Sequence, residues 1–162
     1  MNISNAEYYL YISIKTNNNN TYMVSDEINS WNKYLTNEDY VYLVQYIENI
    51  KNGVSNDKMI ILVGPGRSGK TTLTKHISSY LGHDMCGVYC CMYPGDIIYD
   101  ENIKPLGFLS GINEIFKSKK DNQAIINLIK YKQSFIVGTP NIERVNKKLL
   151  EHSKIIMMTH IF

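Results

Sequence analysis

Met59-Ile60-Ile61-Leu62-Val63-Gly64-Pro65-Gly66-Arg67-Ser68-Gly69-Lys70-Thr71 is the stretch on which the reading of this chain turns. Five apolar residues form a buried strand, and Leu73, Ile77 and Leu81 then mark one face of a helix expected over Lys70–Leu81, stopped by Gly82. Between them the spacing G-x-x-x-x-G-K-[ST] is met in full. Gly64, Gly66 and Gly69 permit a concave nest of amide hydrogens, with Pro65, Arg67 and Ser68 in the intervening positions. The helix start adds its partial positive charge. Lys70 is expected to reach the terminal phosphates of a nucleoside triphosphate as a compact cation. The Thr71 hydroxyl is expected to coordinate Mg²⁺, and Thr72 completes the phosphate-lining set. A glycine-rich turn matching by accident would lack the strand before it and the helix after it.

Outward from the loop, short apolar runs alternate with helical stretches, the mark of an α/β domain with a mostly parallel sheet. Strands are expected near Met59–Val63, Val88–Met92, Ile97–Tyr99, Ser134–Gly138 and Lys154–Met158. Helices are expected near Lys70–Leu81, Ser110–Lys117, Asn122–Lys132 and Ile142–Glu151. Towards the N-terminus, Tyr8–Ile14 alternates like a strand. Asn37–Asn52 reads as a helix with Thr36 as its cap, Asp39 in the capping-box position and Gly53 at its end. Tyr40, Leu43, Val44, Ile47 and Ile50 form its apolar stripe. The expected organisation is therefore a five-stranded α/β sandwich over residues 55–162, with a small mixed strand/helix unit over 1–54 leaning on it through that stripe.

The composition is that of an ordinary globular protein, 44% hydrophobic and 20% charged over 162 residues. No apolar run approaches the ~20 residues of a membrane span, so no membrane partner is expected. The opening Met1-Asn2-Ile3-Ser4-Asn5 lacks a basic leader, and Cys86, Cys90 and Cys91 cannot complete a disulfide framework. Both point to a reducing, cytoplasmic setting. Charge is unevenly spread: residues 1–58 carry 7 acids and 4 lysines, whereas 117–154 carry 9 bases and 3 acids. The basic stretch from Lys117 to Lys154 is the candidate contact for single-stranded nucleic acid.

Two further segments are candidates for chemistry. Ile97-Ile98-Tyr99-Asp100-Glu101 can deliver a carboxylate, Asp100, to the metal's outer sphere and a second, Glu101, to polarise an attacking water; the alternative is a pair of acids opening a surface loop before Pro105. Ser134-Phe135-Ile136-Val137-Gly138-Thr139-Pro140-Asn141 is a strand whose polar end, Thr139 or Asn141, would face the γ-phosphate. A plain Pro-Asn turn explains the same residues.

A P-loop, an Asp-Glu pair, a strand ending in Thr-x-Asn, a helix and a last strand resemble the AAA+ branch of P-loop ATPases. More narrowly, the order is similar to viral superfamily 3 helicases, with Walker A, Walker B and an Asn-terminated motif C over about Lys58 to Met158. The resemblance implies a P-loop NTPase three-layer sandwich, ATP as substrate with Mg²⁺, and a role in replication. It also implies a sensor asparagine at Asn141, a ring of identical subunits, and a finger arginine reaching a neighbour. Arg144 is the candidate for that finger, the only other arginine being Arg67; beside Glu143 it also reads as a solvated helix-start residue. Where the family often has an arginine after a leucine pair, this chain has His152. It reaches Phe162 without the helical lid the resemblance implies.

Two other readings stay open. A nucleoside or nucleotide kinase shares the loop, though such kinases resemble one another in using several arginines. A nucleotide-binding regulatory module without turnover fits the absent lid. A small GTPase fits less well, since Asn146-Lys147-Lys148-Leu149 lacks the guanine-reading aspartate. Weaker signals are His83, Cys86, Cys90 and Cys91, which read as core packing rather than zinc ligands. His76 and His152 read as helix-surface residues, and Tyr131 between Lys130 and Lys132 is a minor candidate for base stacking.

Overall fold

The computed structural model describes residues 23–90, 104–110, 123, 126–127, 129–130 and 133–162. Helix α1 (Asp26–Asn29) runs into a 3₁₀ turn (Ser30–Lys33) and is followed by α2 (Asn37–Lys51). Then come β1 (Met59–Val63), α3 (Lys70–Leu81), β2 (Cys86–Cys90), β3 (Leu106–Ser110) and β4 (Ser134–Thr139). A 3₁₀ turn (Ile142–Arg144), α4 (Lys147–Glu151) and β5 (Ser153–Met157) complete the order. Positions 123, 126–127 and 129–130 are helical.

The five strands lie in the order β2-β3-β4-β1-β5, every pair parallel. Both sheet faces are covered, so β1 is buried at all five positions and its alternate residues serve two cores. Ile60 and Leu62 join Leu73 and Ile77 of α3 and Leu43, Val44 and Ile47 of α2 on one face. Met59, Ile61 and Val63 join Ile126, Ile129, Val145 and Leu149 on the other. The result is the three-layer α/β/α sandwich of the P-loop NTPases.

Helix α2 starts as expected, with Thr36 Oγ1 accepting from the Asp39 amide at 3.1 Å. Asp39, however, turns its carboxylate to Lys154 Nζ on β5 at 2.9 Å rather than back to the cap. The apolar stripe of α2 packs into the same core as Ile60 and Leu62 of β1 and Leu73 and Ile77 of α3. Tyr46 fastens them: its hydroxyl donates to the Phe135 carbonyl at 3.1 Å and accepts from the Phe135 amide at 3.0 Å. Burial holds this phenol protonated far above its ordinary range.

The strand beside β4 is Leu106–Ser110, where the sequence pattern predicts none. Pro105 and Gly107 suggest a loop, but a strand flanked by partners on both sides needs only backbone pairing and apolar cover. The expected helix from Ser110 therefore cannot begin there, because Ser110 ends β3. The expected strands at Tyr8–Ile14 and Ile97–Tyr99 lie outside the described residues. The expected helix Ile142–Glu151 is two pieces. Asn141 and Asn146 each accept from an amide two residues on, at 2.8 and 2.9 Å, and so restart the chain.

Candidate nucleotide site

The loop between β1 and α3 sits at the carboxyl ends of the parallel strands, where an open α/β sheet places its ligands. The Gly64 amide donates to the Thr139 carbonyl at 3.1 Å, tying the loop's start to the end of β4. A side chain at Gly64 would collide with the Met158 backbone, so the close approach demands glycine there. The left-handed conformations fall at Arg67 (φ 63°) and Gly69 (φ 85°), not at Gly66. Arg67 therefore performs part of what the spacing alone assigns to glycine, and alternation of hands along 66–69 is what makes a nest concave. The amides of Gly66, Arg67 and Gly69 make no hydrogen bond to the protein among the described residues. Those of Lys70, Thr71 and Thr72 begin a 12-residue helix, where the first amides have no partner within the helix. Six donors on consecutive turns of chain thus remain for a ligand.

Lys70 Nζ donates to the carbonyls of Gly64 and Pro65 at 2.5 and 2.7 Å and to Ser68 Oγ at 3.0 Å. Its stem passes beside Gly138 of β4, where a Cβ would come within 3.3 Å of Lys70 Cδ. Partial burial lowers its pKa below the ordinary 10.5. Ser68 is itself buried, whereas Thr71 and Thr72 are exposed on the cavity.

That cavity, about 710 Å³, runs from the loop to Trp31, Tyr34, His76 and Phe162. None of these four carries a site signal in the sequence. Trp31 lies on the 3₁₀ turn after α1, Tyr34 just beyond it, His76 on α3 and Phe162 past β5. Trp31 Nε1 donates to His76 Nδ1 at 3.1 Å, which corrects the surface reading of His76. Phe162 packs edge-on against Trp31 and Tyr34, at 5.9 and 4.9 Å between ring centres. Its amide donates to the Arg67 carbonyl at 3.0 Å. Only pairwise ring contacts across the whole length of the chain reveal this rim, and no spacing rule encodes it.

Of the other expected residues, Thr139 is wholly buried. Its hydroxyl donates to the Asn141 carbonyl at 3.1 Å and accepts from the Asn141 amide at 3.3 Å, so it is committed to a local turn. Asn141 Oδ1 caps the Ile142–Arg144 turn by accepting from Glu143 at 2.8 Å. Its side-chain nitrogen has no protein partner among the described residues. Arg144 ends that turn in an exposed position. Asp100 and Glu101 lie outside the described residues, as do Tyr131 and Cys91; in the chain the acidic pair precedes β3 rather than following it. Lys154, the end of the basic stretch, is engaged by Glu38 and Asp39 at 2.9 Å each, hydrogen bonds that raise its pKa. No cluster of three metal-ligating side chains occurs among the described residues, and none of their helices is long and apolar enough to cross a membrane.

No family model and no curated protein sequence matches this chain. Its fold does match solved structures. The Thermotoga maritima RuvB Holliday junction branch migration motor superposes with a TM-score of 0.52 at 19% identity, covering 79% of this chain and 46% of that one. One single-substitution form of the same RuvB gives 0.54 at 21%, covering 79% and 46%. A second such form gives 0.56 at 19%, covering 86% and 50%. These neighbours are AAA+ P-loop ATPases. The chain spans about half the length of each.

Proposed function

We propose that this chain binds a nucleoside triphosphate, ATP by the resemblance, with its phosphates in the nest of residues 64–72, and that it acts as an AAA+-like ATPase. The carrying observation is that six amides of residues 66–72, all but that of Ser68, have no protein partner among the described residues and lie beside Lys70 where β1 runs into α3. Lys70 would exchange its carbonyl partners for phosphate oxygens. An exposed hydroxyl beside an anion nest, without a ready carboxylate cage among the described residues, fits Mg²⁺, which takes its remaining ligands from phosphate and water. Thr71 would hold it, with Asp100 in its outer sphere, and the chemistry it would supply is positive charge against the phosphates.

In this reading the Asn141 side-chain nitrogen orients the attacking water, its oxygen being already fixed by the cap. Glu101 is the proposed base and Arg144 the finger offered to a neighbouring copy in a ring. Single-stranded nucleic acid is the proposed partner, as in superfamily 3 helicases, met by Lys147 and Lys148 on α4, both exposed. Lys154 plays no part in that contact, since its ammonium is neutralised by two carboxylates.

The test is calorimetry with Mg²⁺-ATP together with phosphate release, with and without single-stranded DNA. Binding weakened roughly 10- to 100-fold in Lys70→Ala supports the site, and unchanged binding overturns it. Glu101→Gln should retain binding while hydrolysis falls by a factor of about 10² to 10⁴; unaltered hydrolysis removes Glu101 from the mechanism. A second reading, nucleotide binding without turnover, is favoured by one feature. The strand beside β4 ends in Ser110, not in a carboxylate, so β3 does not present an acid at its terminus. Tight binding with no phosphate release in any condition would select it.

A further inference from the structure

Strand β2 closes one end of the sheet and, among the described residues, pairs on one side only, with β3. The Leu106 amide donates to the Met85 carbonyl at 2.9 Å, and Cys86 lies in register with Leu106. In a parallel ladder of that phase the backbone groups of Gly87 and Tyr89 point to β3, and those of Cys86, Val88 and Cys90 point away from it. The outward amides and carbonyls have no partner among the described residues. Globular proteins blunt such an edge with charge, proline or a bulge. Cys86-Gly87-Val88-Tyr89-Cys90 has no charge and no proline, and its register with β3 is unbroken. The core beside it is also thinly covered: Leu81, Met85 and Cys86 pack against the buried cluster yet are only half-buried.

Residues 1–22 precede the described chain. Within them Tyr8-Tyr9-Leu10-Tyr11-Ile12-Ser13-Ile14 is a second run without charge or proline, with Leu10, Ile12 and Ile14 on one side of its alternation. Where the described chain begins decides which edge this run can reach. The Met23 carbonyl accepts from the Tyr80 hydroxyl at 2.7 Å, and Lys51 Nζ donates to the same hydroxyl at 2.8 Å. Lys51 ends α2, whose first turn is held to β5 through Lys154. About 22 Å of helix thus lies between Met23 and that edge. Tyr80 is in the last turn of α3, from which the tight Gly82–Met85 turn leads directly into β2. Met23 therefore enters at the β2 side.

We propose that residues 8–14 form a sixth strand along the outer edge of β2, antiparallel to it, with Leu10, Ile12 and Ile14 covering Leu81, Met85 and Cys86. That direction brings Ile14 to the start of β2, where Met23 enters. Residues 15–22, which reach about 30 Å at most, then close the link through their asparagine run. A parallel strand would leave Ile14 at the far end of β2 and stretch the same link back along it. An antiparallel edge on an otherwise parallel sheet is a common arrangement.

Amide hydrogen exchange of the full chain, followed by NMR, tests the sixth strand. The amides of Cys86, Val88 and Cys90 should exchange at least about 10-fold more slowly than unstructured ones. Hα–Hα contacts between 8–14 and 86–90 should accompany that protection, as antiparallel neighbours bring these protons together. Adjacent N–H groups of a strand point to opposite sides, so at least one of Tyr11→Pro and Ile12→Pro removes an interstrand bond. That variant should lose protection at Cys86, Val88 and Cys90, while the Gly87 and Tyr89 amides, bonded to β3, keep theirs. Fast exchange at the three outer amides of the unaltered chain would overturn the proposal. Protection that both proline variants leave intact would do the same, because another segment would then cover the edge. So would protection that fades on dilution of a dimer, because the occupant would then be a second copy.

Discussion

The two ends of the cavity are built in opposite ways. The phosphate end comes from nine consecutive residues, 64 to 72, whose spacing alone dictates a turn, a helix start and a cation. The aromatic end gathers Trp31, Tyr34, His76 and Phe162 from positions up to 131 residues apart along the chain. A contiguous motif works through backbone groups, which every residue carries, so only the glycines and the lysine need specifying. A dispersed rim works through side chains, and their meeting depends on the turn after α1, helix α3 and the chain past β5 all coming together.

The sharpest way to break both ends at once is Gly69→Ala. The left-handed backbone at Gly69 costs a residue with Cβ about 1–2 kcal/mol, and the added methyl meets the buried Trp31 ring, for a further cost of about 1–3 kcal/mol. A fall in Tm together with weakened nucleotide binding is expected. An unchanged thermal transition would mean that the two ends are not in contact.

Lys70→Ala should separate them. Losing a charge-assisted contact of about 1.5–3 kcal/mol lowers phosphate affinity roughly 10- to 100-fold. The fold should be unaffected, since the ammonium touches only the rim of its own loop. Calorimetry alongside thermal denaturation reads both. His76→Leu is the mirror test. It leaves the Trp31 indole N–H without its acceptor, at a cost of about 1–3 kcal/mol visible in thermal denaturation. The affinity for tripolyphosphate should stay as it was; a parallel loss would show that the rim also sets the shape of the loop.

The smallest effect is on pH dependence. Burial depresses the Lys70 pKa, so its charge is lost at a lower pH than that of an ordinary lysine. Phosphate affinity should therefore decline as pH rises through that depressed value, below 10.5. Lys154 behaves in the opposite sense. Its pKa is raised by Glu38 and Asp39, so its stabilising contact is fully present below 10.5 and is lost only as pH climbs through the raised value. Alkaline titration followed by calorimetry and by circular dichroism should show binding decline before the fold does.

Helices α2 and α3, strand β1 and both ends of the loop follow directly from residue order, because each obeys a local periodicity or cap. Strand β3 does not. Pro105 and Gly107 disguise a segment that is extended only because β2 and β4 lie on either side of it. The same limit affects Asn141 and Asn146. Both fall where a continuous helix is expected, and each caps a short turn through its side-chain oxygen. Lys154 reads in the sequence as one member of a basic stretch, yet parallel pairing of β5 with β1 brings it to the start of α2 and its two acids.

What residue order settled by itself is the phosphate nest and the class of sandwich around it, since both depend on backbone geometry repeated over short distances. The sheet order β2-β3-β4-β1-β5 and the aromatic rim were decided only in three dimensions. Each of these is a contact between residues far apart in the chain, and such contacts form because burying their apolar surface outweighs the entropy of closing long loops.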